Sequence, residues 1–327
     1  MLFRAYLWLL LSVATSQAAD LPPHPIVAYH DSWNETATAS ADTMSLSSLP
    51  AYISIVDLAF VKPDLVYPGQ LDISQTGLEY HNSGQVLHDA IALLKSRHPG
   101  TRVLLSVGGA AYTKWSALNV DALARLTHDL GADGIDIDFE SRNPGCEATD
   151  DGQIHCGTDE ILDRIVRHIR SALPRPALLT AAVWSVGAYG EGIFRLAQPV
   201  SRYTGFMLAL LHSPTARYLD LLSIQAYDAG PQFDPLQAWR AYRVLWRGPL
   251  ALGLAIQRDA GAGPFLTDAE AETLARAVAD DPLGGMMVYP ILAAPDGRGN
   301  ANWPDGLGLA RAMCRGMNLT GCRSPGL

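Results

Sequence analysis

The sequence has few lysines, few cysteines and, beyond its first residues, no long apolar run. Lysine occurs only at positions 62, 95 and 114, and 33 acidic side chains outnumber 24 basic ones, giving a formal net charge of −9. Clusters of Lys and Arg are what bind phosphate backbones and anionic lipid, so the charge balance argues against a nucleic acid or a membrane surface as partner. The 48% hydrophobic content is enough to form a folded core and argues against disorder.

The first 18 residues have the pattern of a cleaved secretory signal. A basic start at Arg4 is followed by an apolar stretch from Leu7 to Leu11 and by the small residues Ser16 and Ala18. This run is too short to cross ~30 Å of hydrocarbon, and no later stretch approaches the ~20 apolar residues required. We therefore expect a signal peptide over residues 1–18 and a soluble, secreted, monomeric mature chain over residues 19–327, extracellular or periplasmic.

The four cysteines form two local pairs, Cys146 with Cys156 and Cys314 with Cys322. An oxidising compartment favours disulfides, and nearness in the chain favours these two, although four cysteines allow three connectivities. A zinc site is a weaker interpretation because neither pair has the short knuckle spacing and no histidine pair accompanies them.

Short β-rich segments alternate with helical or loop stretches along the chain. The predicted strands are Ile26 to Tyr29, Ile53 to Phe60, Val103 to Val107, Gly134 to Phe139, Ala177 to Val183, Leu221 to Ala226, Ala251 to Ala255 and Gly285 to Tyr289. The clearest predicted helices are Ser83 to His98, Asn119 to Leu130, Ile161 to Leu173 after Thr158, and one that begins with the capping box Thr267 to Glu270.

Eight strands that alternate with helices predict an α/β fold, a single-domain (β/α)8 TIM barrel. The rival, an open doubly wound sheet, needs a glycine-rich phosphate turn after its first strand, and Ala28 to Asp31 supplies none. The connection from Gln257 to Gly284 is short, so no inserted α+β domain is expected between the last two strands.

The most informative segment runs from Asp133 to Glu140, DGIDIDFE, in which acids and apolar residues alternate. A period of two is that of a strand, so Asp136, Asp138 and Glu140 point into the barrel while the intervening apolar side chains face the helices. Residues on one face lie ~6.7 Å apart, which places Glu140 at the C-terminal mouth where barrel enzymes have their active sites.

A solvated acidic edge and a divalent cation site are the alternatives to a catalytic role for these acids. The solvated edge is the usual role of a single exposed acid, but carboxylates packed inside a barrel repel one another, so at least one must have a raised pKa or share a proton. Such an arrangement favours a catalytic role. A cation site would also use oxygen-rich side chains, but the asparagines and loops of the usual calcium type are not evident.

The segment resembles the DxxDxDxE signature of family 18 glycoside hydrolases, the chitinases and their relatives. Four acids at fixed offsets on a strand rarely arise by chance. Other segments agree with the family's strand motifs: Leu104 to Gly109 resembles the SxGG of the third strand, Val27 to Trp33 the aromatic pattern of the first, Ala59-Phe60 the end of the second, and Gln225 to Asp228 the Tyr-Asp ending of the sixth. The resemblance spans about Ile26 to Pro290.

The resemblance implies a retaining, substrate-assisted mechanism that needs no cofactor or metal. Glu140 would protonate the leaving oxygen while the sugar's acetamido oxygen attacks the anomeric carbon, and water would open the oxazolinium intermediate. Asp138 would hold the acetamido N–H and balance positive charge, and Asp136 would share a proton with it. Tyr227 would bind the acetamido oxygen and Asp228 would help to position the same group.

The same resemblance assigns further residues to the substrate site. Ser106 would steady Asp136, Gly108 and Gly109 would let the backbone pass beneath the sugar unless they only form a tight turn, and Gln225 stands where many members have methionine. Tyr29 and Phe60 would be walls of the central subsite, although core packing is their alternative role. Trp33, Tyr112 and Trp184 follow strands, where flat rings can stack on sugars.

The eighth strand departs from the family pattern because it ends in Tyr289 where members usually have tryptophan. The expected activity is that of a chitinase-like hydrolase of β-1,4-linked N-acetylglucosamine, acting on chitin or its oligosaccharides. The alternatives are an endo-β-N-acetylglucosaminidase of glycoprotein glycans and a non-catalytic chitin-binding relative; the presence of Glu140 argues against the second.

Overall fold

The computed structural model describes residues 21–150, 152–256, 262–297 and 301–322. The predicted signal peptide therefore lies outside the described residues. The strands are β1 Ile26–Asp31, β2 Ile55–Val61, β3 Arg102–Gly108, β4 Gly134–Asp138, β5 Cys146–Ala148, β6 Ile154–Cys156, β7 Leu178–Trp184, β8 Leu221–Gln225, β9 Leu250–Ala255 and β10 Gly284–Tyr289. The α-helices of this part are α1 Gly84–Arg97, α2 Val120–Asp129, α3 Asp159–Ala172, α4 Leu208–His212, α5 Pro235–Leu245, α6 Asp268–Val278 and α7 Gly306–Gly316.

Eight of the strands pair in parallel and close into a barrel in the order β1, β2, β3, β4, β7, β8, β9, β10. Closure is between the first and the last strand, with Ile26 opposite Met286. This confirms the predicted (β/α)8 barrel. Between β9 and β10 the described residues contain helix α6 and no additional strand, as the short connection predicted.

Strands β5 and β6 form a small antiparallel hairpin outside the barrel, after β4. Cys146 lies opposite Cys156 in this hairpin and the two form a disulfide; Cys314 and Cys322 form the second. Both local pairs are therefore joined as predicted. The first disulfide holds together a loop that begins directly beside the end of β4.

The helices bury one side against the barrel, and α1, α2, α5, α6 and α7 begin at residues whose side chains accept hydrogen bonds from free N–H groups. In α6 the capping box of Thr267 and Glu270 is present, as predicted. In α3, Thr158 occupies the N-cap position but its side chain makes no capping bond, so that part of the prediction is wrong. Thr158 has helical φ and ψ angles of −105° and −1°, whereas a capping side chain needs an extended backbone.

The barrel interior has an apolar floor and a polar upper layer. The floor is a cluster of inward side chains that includes Val27, Ile55, Leu104, Leu178, Leu221, Ala251 and Met287. Two residues further along β1, β2, β3 and β7 the inward positions carry Tyr29, Asp57, Ser106 and Thr180. The polar layer therefore lies towards the C-terminal ends of the strands. No helix in the described ranges is long and apolar enough to cross a bilayer.

Candidate active site

The acids of β4 lie in the polar layer of the barrel. Asp136 is fully buried, Asp138 is 3% exposed, and Glu140, two residues beyond the end of the strand, is partly exposed. The barrel register places Asp136 beside Ser106 of β3 and Thr180 of β7. Only the last acid of the row therefore reaches the open end of the barrel.

Three hydroxyl groups donate hydrogen bonds to the Asp136 carboxylate. Tyr29 donates to Oδ2 at 2.8 Å, Ser106 donates to the same oxygen at 2.9 Å, and Thr180 donates to Oδ1 at 2.7 Å. Burial raises the pKa of Asp136, and the three donors lower it because they stabilise the anion. Thr180 was not predicted from the sequence, although its place on the inward face of a predicted strand is a usable signal.

Asp138 and Glu140 are linked by the side chain of Gln225. Gln225 Nε2 donates to Asp138 Oδ1 at 3.3 Å and lies 3.5 Å from Glu140 Oε1. Burial, the Glu140 carboxylate and the Asp136 carboxylate raise the pKa of Asp138 well above its usual range. Burial also raises the pKa of Glu140. The hydrogen bond from Gln225 lowers this pKa, and the nearby Asp228 carboxylate raises it further. A raised pKa lets the acid form of a carboxyl group persist to higher pH, which is a property that general acids need.

A fourth inward carboxyl group, Asp57 of β2, was not predicted as part of the site. It is fully buried and neither of its oxygens has a hydrogen-bond partner among the described residues. Burial and the Asp136 and Asp138 carboxylates raise its pKa well above the usual range. Asp57 is two residues from Ile55 and two from Ala59, whose side chains point into the barrel. Because alternate residues of a strand share a face, this spacing is the sequence signal that places Asp57 inside the barrel.

Aromatic rings from four strand ends form one wall above the acids. Trp33 stacks on Phe60 with ring centroids 6.0 Å apart, and Tyr227 stacks on Tyr289 at 5.8 Å. Tyr29 joins the two pairs, with its ring 6.1 Å from Phe60 and 5.8 Å from Tyr289. The structure thus brings together these five rings, all predicted as site residues.

Two other aromatic residues that were predicted to bind sugar, Trp184 and Tyr112, contact neighbouring groups of the protein. The ring of Trp184 stacks on Tyr203 with centroids 3.7 Å apart, so one face of Trp184 is covered. Its indole N–H lies 3.4 Å from the carbonyl oxygen of Phe139. Tyr112 donates its hydroxyl to the carbonyl oxygen of Gly77 at 3.0 Å. Tyr203 was not predicted, because it lies in an irregular segment without a strand or helix pattern.

Gly108, the last residue of β3, and Gly109 are required by a close approach of the backbone. Gly108 and Gly109 have φ angles of +111° and +71°, in the region that favours glycine. A Cβ on Gly108 would lie 2.1 Å from the carbonyl oxygen of Asp138, and one on Gly109 would lie 3.2 Å from the ring of Phe60. The Gly109 N–H also donates to the Asp138 carbonyl at 2.9 Å. These glycines therefore let β3 turn closely against the end of β4.

Glu140 lines two cavities that begin near the end of β4. One, which we call the Tyr227 cavity, has a volume of about 330 Å³ and is lined by Glu140, Gln225, Tyr227, Asp228, Trp184 and Tyr203. The other, which we call the α3 groove, has a volume of about 740 Å³ and is lined by Glu140, Trp115, Phe139, Arg142, Ile161 and Arg164, among others. The larger volume is that of a ligand site.

The main chain and side chain of Asp228 fix its position at the edge of the Tyr227 cavity. Asp228 has a φ of +53° and its Oδ1 accepts a hydrogen bond from the Ala262 N–H at 2.9 Å. In the described part of the chain, no group of three or more His, Cys, Asp and Glu side chains is arranged to hold a metal ion.

Comparisons with known proteins agree on one class, the chitinase-like glycoside hydrolases. Exochitinase 1 of Streptomyces olivaceoviridis is 28% identical over 230 residues, which are 65% of this chain and 37% of that protein. The chain spans about a third of the length of the curated relatives that it matches. Among solved structures, a family 18 chitinase of Pseudoalteromonas aurantia has a TM-score of 0.62 at 18% identity, covering 89% of this chain and 99% of that one.

A mutant family 18 chitinase of Cycas revoluta, solved in complex with (GlcNAc)4, has a TM-score of 0.57 at 14% identity and covers 89% of this chain and 99% of that one. The model of the glycosyl hydrolases family 18 matches residues 25–246. The chain belongs to this family, which confirms the resemblance that the sequence motifs indicated.

Proposed function

We propose that this chain is a secreted hydrolase of β-1,4-linked N-acetylglucosamine polymers, with Glu140 as its general acid. The observation that carries the proposal is the position of the Glu140 carboxyl group, which lies at the open end of the acid row after buried Asp138 and lines the Tyr227 cavity. A polymer bound across the barrel mouth would have its scissile oxygen beside this carboxyl group. Export rests on the pattern of residues 1–18, and the two disulfides are of the kind that oxidising compartments favour.

In the proposed reaction, Glu140 gives its proton to the leaving glycosidic oxygen. Burial raises the pKa of its carboxyl group, so the acid form persists to higher pH than in water. The acetamido oxygen of the sugar in the Tyr227 cavity attacks the anomeric carbon as the C–O bond breaks. Asp138 holds the acetamido N–H and balances the positive charge of the oxazolinium ion. Water then adds to the anomeric carbon with retention and returns a proton to Glu140.

The other residues of the Tyr227 cavity hold the reacting sugar. Tyr227 binds the acetamido oxygen, and Asp228 helps to position the same group. Tyr289, stacked on Tyr227, provides a smaller ring than tryptophan as the floor of this subsite. Asp136, with three hydroxyl donors on its carboxylate, stabilises the ionised state of the pair that it forms with Asp138.

The test is Glu140→Gln, which keeps the shape of the side chain but removes its proton. We expect (GlcNAc)4 binding to remain and kcat for its hydrolysis to fall at least ~100-fold, the scale of general acid catalysis. Glu160→Gln, at an exposed position in the first turn of α3, is the matched control and should hydrolyse at the native rate. Initial rates and calorimetric binding of the tetrasaccharide measure both effects.

A Glu140→Gln enzyme that hydrolyses the tetrasaccharide at the native rate would remove Glu140 from the mechanism. A native enzyme that binds the tetrasaccharide and cleaves it at no pH would identify the chain as a binding protein instead.

A further inference from the structure

The β5–β6 hairpin packs against the loop that follows β7. We call this loop the β7 loop; it comprises residues 185–207. It leaves the barrel and returns to its own start, where the Gly205 N–H donates a hydrogen bond to the carbonyl oxygen of Val186 at 3.3 Å. Its residues 199–203 line the Tyr227 cavity. The hairpin therefore supports an element that forms part of the candidate site.

Ile154 of β6 makes the contact between the hairpin and the β7 loop. Its main-chain N–H donates to Glu191 Oε1 at 2.8 Å, and Glu191 Oε2 lies 2.9 Å from Nε2 of His212, at the end of α4. The buried Ile154 side chain fills the space beside two glycines. A Cβ on Gly190 would lie 2.2 Å from Ile154 Cδ1, and one on Gly205 would lie 2.6 Å from Cγ2. The β7 loop is thus packed closely around this one side chain.

The first disulfide holds the strand on which Ile154 lies. Cys156, two residues after Ile154, is bonded to Cys146 of β5, and these two cysteines face each other in the hairpin. An isolated two-stranded hairpin is marginally stable at best, and a covalent link between its strands restricts the open conformations. The disulfide therefore gives Ile154 a fixed base outside the barrel.

The turn at the end of the β7 loop brings Tyr203 onto Trp184. The Ser201 N–H donates to Thr204 Oγ1 at 2.9 Å, and the Thr204 N–H donates to the Ser201 carbonyl at 3.0 Å. Tyr203, two residues before Gly205, stacks on Trp184 with an angle of 14° between the ring planes. Trp184 is the last residue of β7 and belongs to the barrel. The hairpin contact at Gly205 and the barrel contact at Trp184 thus fix this turn from two sides.

Tyr203 and Glu140 line the same two cavities. Besides the Tyr227 cavity, both line a smaller cavity of about 240 Å³ together with Ala110, Ser141 and Arg142, among others. Tyr203 is partly exposed, so its ring has surface to offer a ligand. A sugar chain that passes from one cavity to the other at Glu140 would meet this ring, and aromatic rings provide both an apolar face and, in tyrosine, a polar edge.

We propose that Tyr203 is a substrate-binding residue and that the disulfide-linked β5–β6 hairpin positions it through Ile154. This inference rests on the proposed function for its ligand, a chain of β-1,4-linked N-acetylglucosamine. Tyr203 contacts the sugar, whereas Ile154 is a positioning residue that acts through the β7 loop. The hairpin is thereby part of the binding site, although it lies outside the barrel.

A double-mutant cycle tests this inference, with (GlcNAc)4 binding measured by calorimetry in the Glu140→Gln background. We expect Kd to rise roughly fivefold for Tyr203→Ala, the scale of one lost aromatic contact, and roughly threefold for Ile154→Ala, which leaves the turn less fixed. Once Tyr203 is alanine, Ile154→Ala should change Kd by less than about 1.5-fold, because its effect passes through the missing ring. Without the Glu140 substitution, each single variant should raise KM by a larger factor than it lowers kcat.

Three further variants separate positioning from general stability. Ile91→Ala removes the same side chain from a buried position of α1, and Glu147→Gln changes an exposed position of β5; both should keep Kd within about 1.5-fold of the native value. Circular dichroism shows that each variant is folded at the assay temperature. Where Ile154→Ala does not fold, Glu191→Ala removes the acceptor of the Ile154 N–H instead and should raise Kd roughly twofold.

An unchanged Kd for Tyr203→Ala would overturn the binding role of Tyr203. Effects of Tyr203→Ala and Ile154→Ala that multiply in the double variant would overturn the positioning role of the hairpin. Both results leave the proposed function standing if the native enzyme cleaves (GlcNAc)4. A native enzyme that binds the tetrasaccharide with the expected cycle but does not cleave it would contradict the proposed function and support this inference. Absence of binding by every form would contradict both.

Discussion

Two buried aspartates of the barrel interior have different surroundings. The Asp136 carboxylate accepts hydrogen bonds from three hydroxyl groups, whereas the Asp57 carboxyl group has no partner among the described residues. The facing groups that titrate are Asp136 and Asp138 of β4 and Tyr29 of β1, and no cation is among them. The three hydroxyl donors therefore favour the negative charge on Asp136 over Asp57, whose pKa burial and the neighbouring carboxylates raise well above its usual range.

The raised pKa of Asp57 makes the stability of the fold depend on pH. For a carboxyl group whose pKa is raised by folding, the contribution to stability is complete below the unfolded pKa of about 3.9 and is lost as the pH rises through the folded pKa. A pKa that is higher by one in the folded state than in the unfolded state corresponds to about 1.4 kcal/mol. The cost of holding Asp57 neutral thus increases from acid towards neutral pH.

Asp57→Asn removes this cost because asparagine has the same shape and never ionises. We expect the difference in Tm, variant minus native, to rise by roughly 2 °C or more between pH 4.5 and pH 8. Thermal unfolding followed by circular dichroism at several pH values measures it. Asp121→Asn, at an exposed position on α2, is the control and should show no such trend. A flat difference for Asp57→Asn would show that Asp57 is ionised in the native protein.

The sequence predicted the site residues that follow a regular pattern. Asp136, Asp138 and Glu140 were found by strand parity, and Tyr227 and Gly108 by family motifs. Asp57 was missed because one acid in a hydrophobic run has no pattern of its own. Thr180 and Tyr203 were missed because a threonine in a strand and a tyrosine in a loop have ordinary structural roles, and only the folded barrel brings them to the site.

At the scale of elements, the close contact between the ends of β3 and β4 positions the acids. The Asp138 carbonyl accepts a hydrogen bond from the Gly109 N–H, and the position where Gly108 would carry a Cβ is occupied by that same carbonyl oxygen. The side chain of Asp138 and the following Glu140 depend on this contact for their orientation.

Gly108→Ala should therefore damage both the fold and the site. An alanine would adopt an unfavourable φ and place its Cβ 2.1 Å from the Asp138 oxygen, so we expect a loss of about 2 kcal/mol or more in the free energy of unfolding. Urea unfolding measures the loss. Gly100→Ala, where a Cβ would meet nothing within 4 Å, is the control and should be close to native. Native stability of Gly108→Ala would contradict the described contact.

The barrel strands were predictable because each is a short apolar run bounded by turn residues. The fourth strand is predicted from Gly134 to Phe139 and ends at Asp138, and the other seven predictions agree with the structure to within two residues at each end. The hairpin of β5 and β6 was not predicted. Its strands have only three residues each, too few for a period, and the opposed cysteines alone do not specify strand pairing.

At the scale of the whole molecule, the apolar packing inside the barrel and the polar side chains of the candidate site lie at different levels along the strands. The apolar floor fills the lower interior, and the acids, the rings and the Tyr227 cavity lie towards the C-terminal ends of the strands. The protein has an acidic net charge, but Glu140 is the only acid among the described residues that line the α3 groove, which also include Arg142 and Arg164. This asymmetry is a property of the folded chain, since Arg142 and Arg164 are 22 positions apart in sequence.

The anomeric configuration of the first product tests the central claim most directly, because the claim is that Glu140 donates a proton while the sugar supplies its own nucleophile. Proton NMR during the first minutes of (GlcNAc)4 hydrolysis measures it, with the fully deacetylated tetrasaccharide as a control that lacks the nucleophile. We expect the β anomer first and no cleavage of the deacetylated sugar. An initial α anomer, or cleavage of both sugars at similar rates, would contradict it.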